Sequence, residues 1–280
     1  MSAAALPASR GSAEEGGAKA HAVRLGAVSY LNAQPLVFGL EGQPELRLER
    51  DLPSRVARRL QAGEIDLGMI PSVSYALGDY AIVPGVAIAS RGPVRSVLLF
   101  HTCPLENVRR VALDTSSRTS AALVRLLLRE RLGRDPQYVL MGPSLMDMLA
   151  VADAALLIGD PALDHRSEIP RLDLGEEWTR LTGLPFVYAF WAGRPETAGP
   201  EVVRRLQRAL AGGLDALPAI AERHAGGIPG RAALYESYLR SNIVYRLGSE
   251  EQEGLREFFR RAHALSLVPA VPDLRFHADR

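Results

Sequence analysis

Short apolar runs alternate with stretches of helical periodicity along most of the chain. Val23 to Val28 reads as a strand, and a helix is expected after Asn32 through Leu40, with Pro35 tolerated in its first turn. Leu46 to Arg50 forms the next strand. Pro53 and Ser54 open a helix with Val56, Ala57 and Leu60 on one face, closed by Gly63, ahead of a strand over Ile65 to Ile70. Pro71-Ser72 starts another helix, and Ile82 to Ala89 and Ser96 to Thr102 read as further strands, the second apolar enough to lie inside a sheet. A second series begins with a strand at Arg109 to Asp114 and a long helix after Ser120. It continues through Tyr138 to Met141, Leu145 to Val151, Ala154 to Ile158 and Phe186 to Ala192. From Glu201 the pattern is helical, broken only by Gly226 to Gly230.

The alternation predicts an α/β protein of two lobes facing one another across a cleft, with a helical C-terminal segment. Ligand groups are then expected at strand ends and helix starts. The expected division is a disordered tail over 1–21, the first part of lobe 1 over 22–105, lobe 2 over 106–194, and a mostly helical return to lobe 1 over 195–280. No internal repeat of fixed period is visible.

Composition narrows the function. The 280 residues are 47% hydrophobic and 23% charged, with 33 basic against 32 acidic side chains. Charge so balanced and interleaved offers no general attraction to nucleic acid or anionic lipid, so neither is expected as a partner. Lys19 is the only lysine, which argues against a Schiff-base enzyme and removes any Walker A lysine. The single cysteine, Cys103, excludes an intrachain disulfide and a multi-thiolate metal site. Residues 1–20 lack the apolar stretch of roughly 7 to 15 residues that marks a secretory signal, and no run approaches a membrane span, so a cytoplasmic protein is expected.

Motifs for dinucleotides, nucleoside triphosphates, zinc proteases and hydrolase elbows are all missing, so no cofactor is expected. The six histidines are scattered without metal-ligand spacing, and no metal is expected either. His101 and His165 follow predicted strands or motifs and read either as acids and bases or as structural residues.

Hydroxyl, amide and glycine groups at strand ends stand out instead. In SYLNAQP, Ser29 and Asn32 follow a strand and can point into a cleft, although Asn32 also suits a helix cap. Ser72 sits at a helix start, where capping and anion binding explain it equally. DTSSRTS (114–120) supplies Thr115, Ser116, Ser117, Thr119 and Ser120 where a cap needs one such side chain, which points to capture of a carboxylate at the positive end of a helix. Arg118 either adds charge there or faces solvent. Gly159 permits close backbone approach after a buried strand, and Asp160 is either a proton acceptor or a turn former before Pro161.

SYLNAQP, LPSRVARRLQAGEIDLGMIPS, GPVRSVLLF, LDTSSRTS, LLIGDPAL and DLGEEWTRLTGLPFVYAFW, in that order from about Arg24 to Trp191, resemble the signature blocks of the chorismate dehydratase family of the futalosine route to menaquinone. The resemblance implies a type 2 periplasmic-binding-protein-like fold used as an enzyme. It further implies dehydration of chorismate, a small dianion, to 3-[(1-carboxyvinyl)oxy]benzoate without a cofactor; the sequence itself leaves the choice between monomer and homodimer open. On that basis Ser116, Ser117, Thr119 and Ser120 are expected to hold one carboxylate, Ser72 and Ser96 the other, and Asn32 the departing hydroxyl. The base is expected to be Asp160, a histidine or the substrate's own side-chain carboxylate. Alternatives are the related 1,4-dihydroxy-6-naphthoate synthase of the same route and a non-enzymatic small-anion binder. An exported solute receptor would need an export signal, and a LysR-like regulator a preceding helix-turn-helix domain.

Overall fold

Apolar strands buried on both faces need cover from both sides, and the chain supplies it by winding helices around two separate sheets. The computed structural model describes residues 22–277; the tail expected over 1–21 lies outside the described residues. In chain order the elements are β1 (Val23–Val28), a 3-10 segment (Leu31–Val37), β2 (Leu46–Asp51), α1 (Pro53–Gln61), β3 (Leu67–Pro71), α2 (Ser72–Tyr75), β4 (Ala81–Ile82) and β5 (Ile88–Ser90). Then follow β6 (Val97–His101), β7 (Arg110–Asp114), α3 (Arg118–Leu132), β8 (Gln137–Met141), α4 (Leu145–Val151), β9 (Ala154–Ile158) and α5 (Gly159–Leu163). The chain ends with β10 (Arg171–Asp173), α6 (Leu174–Thr182), β11 (Phe186–Gly193), α7 (Pro200–Asp215), α8 (Leu217–Ala225), α9 (Arg231–Ser241) and α10 (Ser249–Ala264).

The first sheet runs β2-β1-β3-β11-β4, with β5 also paired to β11, and the second runs β10-β6-β9-β7-β8. Within the first, β1 is parallel to β2 and β3, while β11 is antiparallel to its neighbours. Within the second, β7 is parallel to β8 and β9, and β6 is antiparallel to β9 and β10. The two antiparallel strands, β6 and β11, are the first strands after each passage between sheets. The passages therefore fall near 91–96 and 183–185, earlier than the expected boundaries at 105 and 194. Pro104 marks only a 3-10 turn after β6. Both passages contain Gly and Pro, in RGPVRS and GLP, but so do turns within each lobe such as Pro84-Gly85 and Gly142-Pro143, so composition alone does not mark them.

Two other expectations change. The single strand expected over Ile82 to Ala89 is split into β4 and β5 by a turn at Pro84-Gly85, where Gly85 has φ +77°. The helix expected after Asn32 is a 3-10 segment starting at Leu31, with Pro35 removing one backbone donor from its interior.

The C-terminal helices close back on the first sheet. Gly213 of α7 lies so near Pro35 that an added Cβ would sit 2.2 Å from its carbonyl oxygen, which fixes α7 against the 3-10 segment. Tyr235, Tyr238 and Tyr245 are all buried within the chain. No helix among the described residues is long and apolar enough to cross a membrane.

Candidate functional site

The end of β1, the start of α1, the passage into β6, the start of α3 and the end of β9 meet around a cavity of about 60 Å³. That is room for on the order of four to six waters. Asn32, Ser96, Ser117, Thr119, Ser120 and Gly159 contribute to its wall, together with Tyr30 and Tyr188. The remaining lining is apolar or proline, and no charged side chain contributes.

At its positive end the cavity meets the first turn of α3. Ser117 occupies the N-cap position in extended conformation, yet no side chain caps the helix. The opening amides of a 15-residue helix are thus left for another acceptor, at the point where the helix dipole favours negative charge. The Ser117 and Ser120 hydroxyls, both buried, make no hydrogen bond with another group among the described residues. Thr119 faces the same space, its Oγ1 accepting from the Val73 amide at 3.1 Å across the two sheets.

At the opposite side Ser96 is almost fully buried. Its Oγ accepts a hydrogen bond from the Tyr238 hydroxyl at 2.7 Å, and its carbonyl accepts from the Gly159 amide at 2.8 Å. With its oxygen so engaged, the Ser96 hydroxyl hydrogen is left to donate into the cavity. The Asn32 side chain lies close enough to the Tyr238 hydroxyl to offset part of the effect of burial on that phenol. Burial is the chief reason the Tyr238, Tyr188 and Tyr30 phenols are all held above their usual range, so each remains a neutral hydrogen-bonding group.

Gly159 explains how Tyr30 fits. It has φ +64°, and a Cβ there would lie 2.7 to 2.8 Å from three Tyr30 ring atoms. Gly159→Ala is therefore expected to cost about 2 to 3 kcal/mol, from the left-handed backbone and the displaced ring, and to lower Tm by roughly 4 to 10 °C in a thermal melt. An unchanged Tm would mean that Tyr30 moves freely.

Other expected site residues lie elsewhere. Ser72 is fully buried and donates its hydroxyl to the Val187 carbonyl at 2.7 Å, which ties α2 to β11. Ser116 donates to Asp114 Oδ1 at 2.7 Å and shares a hydrogen bond with Tyr30 at 3.2 Å. Ser29 is exposed, its Oγ donating to the Asp51 carbonyl at 3.3 Å. Asp160 lies outside the cavity wall: Oδ1 accepts from the Leu31 amide at 3.0 Å, and Oδ2 lies 2.9 Å from His224 Nε2. It clamps the segment carrying Asn32. His101 bonds the Cys103 carbonyl, and His165 meets Ser167 and the edge of Phe100, both away from the cavity. No group of His, Cys, Asp and Glu suited to a metal ion occurs among the described residues.

Sequence reasoning missed the three tyrosines. Tyr30 lies inside the SYLNAQP block but reads as an apolar wall, and Tyr188 sits in a strand apolar throughout. Tyr238 comes from α9, some 140 residues from Ser96, with nothing local to link the two.

A family model described as menaquinone biosynthesis matches residues 23–264. The chain is 35% identical over 271 residues to the chorismate dehydratase of Thermus thermophilus, covering 89% of this chain and 96% of that protein. It is 24% identical over 253 residues to the chorismate dehydratase of Campylobacter jejuni, covering 87% and 99%. A solved protein of Archaeoglobus fulgidus matches with TM-score 0.72 at 18% identity, covering 90% of this chain and 100% of that one. The alkanesulfonate-binding protein of Xanthomonas axonopodis, bound to MOPS, matches with TM-score 0.60 at 16% identity, covering 93% and 98%. These structural likenesses show the fold, which is that of periplasmic binding proteins.

Proposed function

The chain belongs to the menaquinone-biosynthesis family, and from that premise we infer that it is a chorismate dehydratase, a carbon–oxygen lyase that turns chorismate into 3-[(1-carboxyvinyl)oxy]benzoate and water. The observation that carries the mechanism is a cavity walled by neutral donors and apolar groups, with no carboxylate, imidazole or cation in its lining. Such a wall suits a ligand that brings both negative charges itself; chorismate is larger than the cavity as it stands, so the reading requires the two sheets to part to admit it.

Chorismate carries a ring carboxylate, an enolpyruvyl ether and a neighbouring hydroxyl. The hydrogen on the ether-bearing carbon is allylic and vinylogous to the ring carboxylate, so its removal spreads charge into that group. The ring carboxylate is assigned to the start of α3, where open amides and the Ser117, Thr119 and Ser120 hydroxyls meet the growing charge. The C–H electron pair then forms the last ring double bond as the C–O bond to the hydroxyl breaks. The hydroxyl leaves with the proton as water.

No lining side chain is a base, so the side-chain carboxylate of the substrate takes the proton, held by Ser96. Asn32 orients the departing hydroxyl. Tyr238 is a positioning residue that turns the Ser96 hydrogen toward the substrate, and Asp160 positions the Asn32 segment. The protein's part is orientation, exclusion of water and preorganised donors.

Incubating the purified protein with chorismate, and separately with cyclic dehypoxanthinylfutalosine, tests the reading. Loss of chorismate with formation of the carboxyvinyloxybenzoate is the expected result; turnover of the futalosine derivative alone sinks it. Because the wall holds no group titrating near neutrality, kcat is expected to stay flat, within about twofold, from pH 6 to 9. An inflection near pH 6.5 would return a histidine to the role of base.

A further inference from the structure

Beside the cavity, and sharing Ser117 with it, lies an open groove of about 790 Å³ between the start of α1 and the first half of α3. Four arginines line it, Arg55 and Arg58 from α1 and Arg118 and Arg125 from α3, against one acid, Asp114. Arg55 pairs loosely with Asp51 at 3.6 Å. No carboxylate pairs with Arg58, Arg118 or Arg125 among the described residues, although surface arginines elsewhere in the chain are commonly paired. The Arg125 guanidinium lies 5.1 Å over the Tyr138 ring, with its Nε buried and without a partner. Asp114 is itself buried and bound by Ser116, and burial holds its carboxyl above the usual range.

A chain of net charge +1 thus concentrates several positive charges in one concave place. A seam separates this groove from the cavity, closed by the Ser54 amide on the Ser116 carbonyl at 3.2 Å and by the Tyr30–Ser116 hydroxyl pair.

We propose that this groove is the entry vestibule for the substrate: its arginines gather a small dicarboxylate dianion from solution and deliver it past Ser117 as the seam parts. The inference rests on the reaction assigned above and adds a site to it. Charges outside the cavity raise the local concentration of a dianion without touching the reacting atoms. They therefore act on kcat/KM and are screened by salt, because the Debye length is only about 10 Å at 0.1 M.

The test uses two exposed residues on α1 that lie outside the cavity. Arg55→Gln/Arg58→Gln and the charge reversal Arg55→Glu/Arg58→Glu are compared with the parent protein at about 20 mM and 500 mM ionic strength. Chorismate kinetics are run beside calorimetric titration with benzene-1,3-dicarboxylate. At low salt kcat/KM is expected to fall about 3- to 10-fold for the glutamine pair and further for the glutamate pair, with kcat unchanged. At high salt the gap is expected to close to within about twofold. Variants that match the parent at low salt overturn the vestibule, as does a loss of equal size at both salts. A parent that binds the dicarboxylate with this salt dependence but leaves chorismate intact would sink the assigned reaction and keep the vestibule.

Discussion

Asn32→Ala is expected to lower kcat by about 10²- to 10³-fold while moving KM by less than about fivefold, the pattern of a group that acts mostly in the transition state. The Asn32 amide faces the cavity from a segment with unusual support. Asp160 holds the Leu31 amide at 3.0 Å, and the Gln34 side chain donates to the Ser29 and Tyr30 carbonyls at 3.0 and 3.1 Å. A donor fixed in this way meets charge as it develops on the leaving oxygen, without reorganising at that moment. In the ground state the same oxygen is a neutral hydroxyl, which a water could satisfy almost as well, so little affinity depends on it. The side chain is only half-buried and its truncation leaves the backbone bonds intact, so Tm is expected to shift by less than about 3 °C. Steady-state kinetics on chorismate beside a thermal melt reads both. A kcat within threefold of the parent removes Asn32 from the chemistry.

Where the site could be read in the sequence, the reason was local excess. DTSSRTS carries more hydroxyls than any cap uses, and the structure brings Ser117, Thr119 and Ser120 of that block to the cavity with Asn32, Ser96 and Gly159. The misplacements share one cause: a hydroxyl or carboxylate at a strand end has competing backbone partners that the sequence does not display. Ser72 meets the Val187 carbonyl 115 residues away, and Asp160 meets the Leu31 amide 129 residues away. Strand positions were legible because apolar runs are local, as β1, β7 and β9 illustrate. Which sheet β6 and β11 join was not, because a strand pairs with residues far along the chain. Tyr238 was invisible for the same reason.

The second large effect concerns the start of α3. Ser117→Ala/Ser120→Ala together are expected to reduce kcat/KM by about 10²- to 10⁴-fold, since each removes a charge-assisted hydrogen bond worth roughly 1.5 to 3 kcal/mol. Neither hydroxyl bonds another group of the described protein, so truncation strands no internal partner and the fold is expected to persist. Because the ring carboxylate is charged before reaction and gains enolate character during it, both KM and kcat should worsen. That split differs from the kcat-dominated loss at Asn32. The helix amides remain in the double variant and continue to favour an anion, so residual binding of benzene-1,3-dicarboxylate is expected by calorimetry, weakened but measurable. Adding Ser96→Ala should then reduce turnover further by a factor close to its effect alone, as expected for groups on opposite sides of the cavity that hold different carboxylates. If the double variant keeps parental kcat/KM, or if adding Ser96→Ala causes no further loss, the two carboxylates are not held as assigned and the start of α3 is not the anion site.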